Sequence, residues 1–495
     1  MSFVPDRSWI RTADQPPLAI AHRGASAYTF DNTLTSFEIA HALGAEMWEV
    51  DLRLSADGEP VVFHDETMAA ITGREDRLSD LSYAQIAKVT AAAGRRAPLL
   101  DEVIALAQQY ETALYLDAKQ PEVMRAAVKR LLAARFERAI LGTAQPEAIA
   151  ELRAEGCPYP LSLLAGPGVP LIDRAVACGA DIVHPCWEHV GERPDQLLTP
   201  EFFAEARRHG MPVVTWHEER MPVLRALMAK PVLGICTDQP ELMRRYRDRV
   251  PNGPQIVCHR GLCTLTPENT LASAQAAYSV GYDIVEIDLQ QTSDGHLVVH
   301  HDVTMDRTTT GSGAIRELPL EEVRKADAGI KLSSFHKGQK VPLLREIVDC
   351  AHRNGGGLYV ELKEADPIAV VEEVSKILPT EKVFYWSFCR DYLATIASKF
   401  PQSRLMARAE DYGSVEECLA DLQPDIVEFN ATNADPESIK KVRRAGAQAM
   451  IAYKGNDIEV MGRVVDLSPD LLNLNYPYLA QRLLEKRPQV LLDAE

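Results

Sequence analysis

Two histidines, an arginine and a pair of carboxylates occur twice in this 495-residue chain, in the same order and at the same spacing. His22-Arg23-Gly24, Asp31-Asn32-Thr33, Glu49-Val50-Asp51, Asp57-Gly58 and His64-Asp65 return without a gap as His259-Arg260-Gly261, Glu268-Asn269-Thr270, Glu286-Ile287-Asp288, Asp294-Gly295 and His301-Asp302. A hydrophobic core tolerates volume-conserving swaps, whereas a proton-transfer or metal site does not. The repeat therefore reads as a duplication in which both halves kept a reactive site.

The chemistry follows from residue types. In Glu49-Val50-Asp51 and Glu286-Ile287-Asp288 the acids alternate with an apolar residue on a strand, so both face one side. Two carboxylates that close repel unless a cation or a proton sits between them. Leu114 to Lys119 and Leu358 to Lys363 add Asp117 with Lys119, and Glu361 with Lys363, near the end of another strand. Three carboxylates make an oxygen-rich site suited to Mg2+ or Ca2+ rather than zinc. His22 and His64, like His259 and His301, each end a β-run and form pairs suited to general base and general acid. Arg23 and Arg260 follow directly, where a guanidinium could grip a phosphate at two points. Acids, cation, arginine and lysine together point to phosphate ester chemistry.

These residues need a scaffold with one open rim. Short β-rich runs alternate with helical stretches, eight times in each half, with strands expected near 18–22, 46–52, 114–118, 138–142, 160–164, 181–184, 212–216 and 233–236. The second set falls near 255–259, 283–289, 358–362, 383–386, 404–406, 425–428, 447–451 and 471–474. Reactive groups that follow several different strands favour a (β/α)8 barrel over an open doubly wound sheet, because a barrel gathers them on one rim. Positions 60–63 read as the return of a hairpin around Asp57-Gly58. The expected architecture is two tandem TIM barrels, residues 1–250 and 251–495, divided at the charged, turn-rich stretch from Arg244 to Pro254.

Composition bounds the partners. A formal net charge of −18 argues against nucleic acid or an anionic membrane surface. No segment has transmembrane length and the N-terminus lacks a signal-peptide core. The nine cysteines are scattered without metal-type pairs, which suggests a reducing, cytoplasmic setting. Cys258 beside His259 reads as a buried strand cysteine, since Ala21 holds the equivalent place. His184-Pro185-Cys186-Trp187-Glu188-His189 reads as a loop in which polar residues happen to cluster.

The series His-Arg-Gly, Glu-Asn-Thr, Glu-x-Asp, Asp-Gly, His-Asp and Glu-x-Lys resembles the glycerophosphodiester phosphodiesterase family across most of both halves. In the second half the likeness extends through Arg307 to Gly313, Val341 to Glu346 and Trp386-Ser387-Phe388. In the first it reappears in Gly210 to Trp216 and in Gly234 to Pro240. The resemblance implies a TIM-barrel hydrolase that cleaves a glycerophosphodiester to glycerol 3-phosphate and an alcohol, with one divalent metal per competent barrel. It implies metal ligands Glu49, Asp51 and Asp117, and Glu286, Asp288 and Glu361. The histidine pairs become acid and base, Arg23, Lys119, Arg260 and Lys363 bind phosphate, and Asp31 and Glu268 support the site. It also implies a small insertion after each His-Asp pair, about 66–97 and 303–340.

Each half departs from the family pattern in its own way. In the first, Asp31 replaces glutamate, Phe30 replaces proline, and Met68 to Thr72 stands where Arg-Thr-Thr is expected. In the second, Ala452 falls at the place of Trp216, a candidate for packing against glycerol, and Asn475-Tyr476-Pro477 replaces Asp238-Gln239-Pro240. Two other readings share part of this pattern: a phospholipase D-like phosphodiesterase acting on another diester, and one catalytic barrel joined to a non-catalytic binding barrel.

Overall fold

The computed structural model of the protein describes residues 4–11, 15–187 and 190–486. The chain divides into two compact units, Met1–Met243 and Arg244–Glu495. The break lies ahead of the expected seam because the charged segment is anchored in the second unit: Arg247 pairs with Asp283 at 2.8 Å and Tyr246 packs on Tyr282.

The first unit contains β1 (Leu18–Ala21), β2 (Met47–Leu54), β3 (Pro60–Val62), β4 (Ala113–Ala118), β5 (Ala139–Thr143), β6 (Leu161–Ala165), β7 (Ile182–Pro185), β8 (Val214–Thr215) and β9 (Gly234–Thr237). All but β3 run parallel, in the order β7-β6-β5-β4-β2-β1-β9-β8, and single bridges from Val183 to Val213 and from Cys186 to Trp216 close the ring. β3 is the hairpin return on β2, with Leu52 opposite Val62. The second unit repeats the plan with β10 (Gln255–Cys258), β11 (Ile284–Gln291), β12 (Leu297–Val299), β13 (Gly357–Glu364), β14 (Val383–Trp386), β15 (Arg404–Arg408), β16 (Ile426–Asn430), β17 (Gln448–Tyr453) and β18 (Leu471–Leu474). Here β10 pairs with both β11 and β18, so the ring closes on its first strand. Each unit is thus an eight-stranded parallel barrel carrying one antiparallel hairpin strand.

Strands buried on both faces must be apolar almost throughout, and β5 and β18 are buried along their whole length. Inside the first barrel Ile20, Met47, Tyr115, Ile140 and Trp216 fill the axis. The glycine at 142 follows from this filling, since a Cβ there would come within 2.5 Å of the Tyr115 hydroxyl. The insertions carry small apolar cores of their own, Met68, Leu78 and Ile86 against Val61, and Met305, Ile315 and Val323 against Val298. No helix among the described residues is long and apolar enough to cross a membrane.

His184 and Pro185 belong to β7 rather than to a loop. The His184 ring is buried under Trp216, with Nδ1 2.7 Å from the Tyr115 hydroxyl. Glu188 and His189 lie outside the described residues. Cys258 is buried in β10, as its strand position suggested.

Candidate active site

The His-Arg-Gly turn is built by a left-handed backbone. Arg23 has φ 56° and Gly24 φ 84°, and Arg260 and Gly261 repeat this with 59° and 80°. A Cβ on Gly24 or Gly261 would fall 2.3 Å from the hydroxyl of Ser36 or Ser273, so glycine is required both by conformation and by space. The turn aims the Arg23 backbone N–H at Glu49 Oε2, 2.9 Å away, and the Arg260 N–H at Glu286 Oε2, 2.7 Å away.

The two residues of each Asn-Thr motif serve different ends. Asn32, itself left-handed at φ 53°, donates from Nδ2 to Asp51 Oδ2 at 2.7 Å and accepts the Asp51 N–H at 3.2 Å. Asn269 holds Asp288 in the same way at 2.8 and 3.3 Å. Thr33 and Thr270 cap the helices that follow, Leu34–Ala42 and Leu271–Val280, by accepting the N–H of Ser36 and of Ser273. A short motif therefore fixes one acid and starts one helix.

Both carboxylate clusters form as the sequence spacing suggests. Glu49, Asp51 and Asp117 bring oxygens within 4.8 Å of one another, and so do Glu286, Asp288 and Glu361. All six are buried. Lys119 pairs with Asp117 and lies 2.7 Å from Asp51, while Lys363 pairs with Glu361 and lies 3.2 Å from Asp288. Arg23 Nε approaches Asp51 to 3.1 Å. Burial, reinforced by Asp51 and Asp117, lifts the Glu49 carboxyl well above its usual range, and burial with Asp288 and Glu361 does the same to Glu286. Burial also raises Asp51, but the charges of Lys119 and Arg23 outweigh it and hold that carboxyl low. One oxygen of each glutamate, Glu49 Oε1 and Glu286 Oε1, is buried without a hydrogen-bond partner. Orphaned hard oxygens within a crowded acid set fit a divalent cation that would coordinate them.

His22 stands beside this cluster, with Nδ1 2.7 Å from Asp238 Oδ1. A carboxylate only accepts, so Nδ1–H donates and the buried, unpartnered Nε2 of the neutral ring keeps its lone pair. Burial lowers the pKa of His22, against the pull of Asp238. Trp216 meets the ring edge-on at 4.8 Å, and His217 stacks on it at 4.5 Å. In the second barrel the place of Asp238 is taken by Asn475, whose Oδ1 is 2.7 Å from His259 Nδ1. Burial, joined by the charges of Lys454 and Arg260, pushes His259 well below its ordinary value.

The second histidine of each pair lies on the lip. His64 Nδ1 is 2.8 Å from Asp65 and His301 Nδ1 is 2.6 Å from Asp302. In the second barrel the pair runs on into a chain of charges: Arg307 bonds both Asp302 and Glu268, and Glu268 reaches Arg260 at 3.0 Å. Ala70 occupies the position of Arg307 in the first barrel, and Asp31 reaches Arg23 only at 3.5 Å.

The acids, lysine and arginine expected from sequence thus lie together in each barrel. Sequence reasoning gave no role to the partners Asp238, Asn32 and Asn269, which stand inside motifs that carried the family likeness, or to Asn475, which it noted only as a departure from the pattern. It also missed the second barrel's wide mouth, a cavity of about 810 Å³ lined by Glu428, Lys454 and Asn473 among others.

Comparison with known proteins agrees with the duplication. The profile of the Glycerophosphoryl diester phosphodiesterase family matches residues 22–242 and again 259–472. A glycerophosphodiester phosphodiesterase of Caldanaerobacter subterraneus subsp. tengcongensis is 46% identical over 108 residues, 22% of this chain and 44% of that protein. That match therefore spans less than half of the relative. A Bacillus subtilis glycerophosphodiester phosphodiesterase is 27% identical over 259 residues, 47% of this chain and 87% of its own length. Among solved structures, a glycerophosphodiester phosphodiesterase from Agrobacterium tumefaciens is 32% identical with a TM-score of 0.45, over 46% of this chain and 99% of that one.

Proposed function

The chain belongs to the glycerophosphoryl diester phosphodiesterase family, one copy in each half, and from that membership we propose that it hydrolyses glycerophosphodiesters to glycerol 3-phosphate and an alcohol, with a reaction centre in each barrel. One observation carries the reading. In both barrels a histidine whose Nδ1 is committed to a neighbour stands beside a buried three-carboxylate cluster flanked by lysine and arginine.

Glu49, Asp51 and Asp117, and Glu286, Asp288 and Glu361, would hold Mg2+ or Ca2+, which would draw negative charge off a phosphoryl oxygen. The remaining tasks fall to the side chains. Arg23 with Lys119, and Arg260 with Lys363, hold the other phosphoryl oxygens and line up the diester. His22 or His259, neutral because it is buried, takes the proton of the attacking hydroxyl as the new P–O bond forms. His64 or His301, oriented by its aspartate, gives a proton to the departing alcohol oxygen as the old P–O bond breaks. Water, or the substrate's own adjacent hydroxyl followed by water, is the nucleophile. Trp216 packs against the apolar edge of the glycerol in the first barrel.

The test is release of glycerol 3-phosphate from glycerophosphocholine and glycerophosphoethanolamine before and after chelation. Activity is expected to vanish on chelation and to return with Mg2+ or Ca2+. Absence of release with any divalent metal would overturn the reading.

A further inference from the structure

The mouth of the second barrel differs from that of the first in what covers the barrel axis. Trp216 seals the first barrel, 6% exposed, with His184 and Cys236 fully buried beneath it. Strand pairing places Ala452, Glu428 and Asn473 at the corresponding positions: Cys186 pairs with Trp216 as Asn430 pairs with Ala452. Loss of the indole opens the floor, and all three residues line the 810 Å³ cavity.

The polar groups exposed there are of mixed kind. Asn473, 3% exposed, donates from Nδ2 to Glu428 at 2.9 Å, and its Oδ1 is buried with no hydrogen-bond partner. Lys454 lines the same cavity as Glu428. An acceptor lacking a donor, a carboxylate and an ammonium side by side match a ligand whose groups both donate and accept, which is the property of a hydroxyl. Two other ligand chemistries fit less well. A quaternary ammonium needs aromatic faces that no other cation occupies, and although Phe388 is 70% exposed, Arg408 lies 5.3 Å from the Trp386 and Phe388 ring centres and Lys363 lies 5.6 Å from Phe388. A second phosphate would meet the carboxylates of Glu410 and Glu428 on the same lining, and Arg408 is already paired with Glu410.

We propose that the recess left by Ala452 in the second barrel accepts a hydroxyl-rich arm of the diester, a polyol or a sugar-like ring, hydrogen-bonded to Asn473, Glu428 and Lys454. This rests on the reading of that barrel as a glycerophosphodiesterase. A site built to bond hydroxyls discriminates against analogues without them, because its own buried groups are then left unpaired.

The experiment uses the full chain carrying His22→Ala, so that only the second barrel turns over. Glycerophosphoinositol and glycerophosphocholine are compared by kcat/KM. At least a tenfold preference for inositol is expected. Ala452→Trp should bring that ratio close to one, and Asn473→Ala, which adds no bulk, should lower it several-fold. Equal use of both diesters, or a preference for choline, overturns this inference and leaves the glycerophosphodiesterase reading intact. Failure to release glycerol 3-phosphate from either diester, with the first barrel active in wild type, overturns the reading of the second barrel and this inference with it.

Discussion

The two barrels hold three carboxylates in corresponding places, with only Asp117 exchanged for Glu361, and differ in what stands behind their histidines. In the first, His22 leans on the carboxylate of Asp238, which also accepts from Ser26 at 2.7 Å. In the second, His259 leans on the amide oxygen of Asn475 and feels the charge of Lys454. The lips differ in the opposite sense, since the second barrel ties His301 through Asp302, Arg307 and Glu268 to Arg260 while the first has Ala70 in place of that arginine. Each half is thus more tightly organised at a different wall. The parts that hold the carboxylates did not drift, and the parts that orient proton carriers and receive the alcohol did.

The largest effect expected from this comparison comes from removing the histidines. His22→Ala and His259→Ala should each abolish one component of the release of glycerol 3-phosphate, by about 10²–10⁴-fold in the barrel concerned, and the double variant should lose both. If either single variant removes all turnover, the two barrels are not parallel enzymes.

Exchanging the supports should move the barrels toward each other. The Asp238 carboxylate raises the pKa of His22 against burial. Asp238→Asn should therefore shift the acid limb of the first barrel's kcat/KM profile to lower pH and slow it about tenfold. Asn475→Asp should shift the limb of the second barrel to higher pH. Each is measured in a background where the other barrel carries its histidine-to-alanine change, and an unmoved limb would show that the supports do not set the difference.

Much of this contrast could be read from the sequence, though its meaning could not. Asp238 and Asn475 stand out as a mismatch between the halves, but each meets its histidine from the last strand of the ring, far along the chain. Only ring closure reveals the pairing. The strands and the hairpin were legible because buried parallel strands are nearly continuous apolar runs and because Asp57-Gly58 marks a tight turn. β8 is the exception: the expected strand 212–216 shrinks to Val214–Thr215, with Val213 and Trp216 held by single bridges. The roles of His184 and Ala452 were hidden because they depend on side-chain volume across the barrel axis, which no local pattern encodes.

Cutting the second barrel's lip network is a smaller perturbation. Arg307→Ala should lower that barrel's kcat/KM about tenfold by freeing Asp302 and Glu268, with a loss of stability of only about 1 kcal/mol because these ion pairs are partly exposed. The first barrel should be unaffected, as shown by unchanged turnover in the His259→Ala background.

The smallest effect concerns stability alone. Glu241 is buried against the Tyr28 hydroxyl in the first barrel, and burial pushes its carboxyl up to about 7. Its folded value lies above its unfolded one, so its contribution is fully present below about pH 4.5 and is lost as pH rises through about 7. Glu241→Gln should flatten the pH dependence of the first unit's Tm over that window. Tyr478 holds the corresponding place in the second barrel, so its unfolding transition should not change.

The left-handed residues at the start of each barrel bear on how such a site could decay. Arg23, Asn32, Arg260 and Asn269 each hold a backbone conformation that costs a non-glycine residue roughly 1–2 kcal/mol. What offsets that strain is the set of bonds the conformation makes to Glu49, Asp51, Glu286 and Asp288. Loss of one acid would strand a strained turn with nothing to hold, and relaxation of the turn would in its course release the neighbouring acid. Erosion of either barrel should therefore be abrupt, an intact cluster giving way to a dismantled one with few viable intermediates between them.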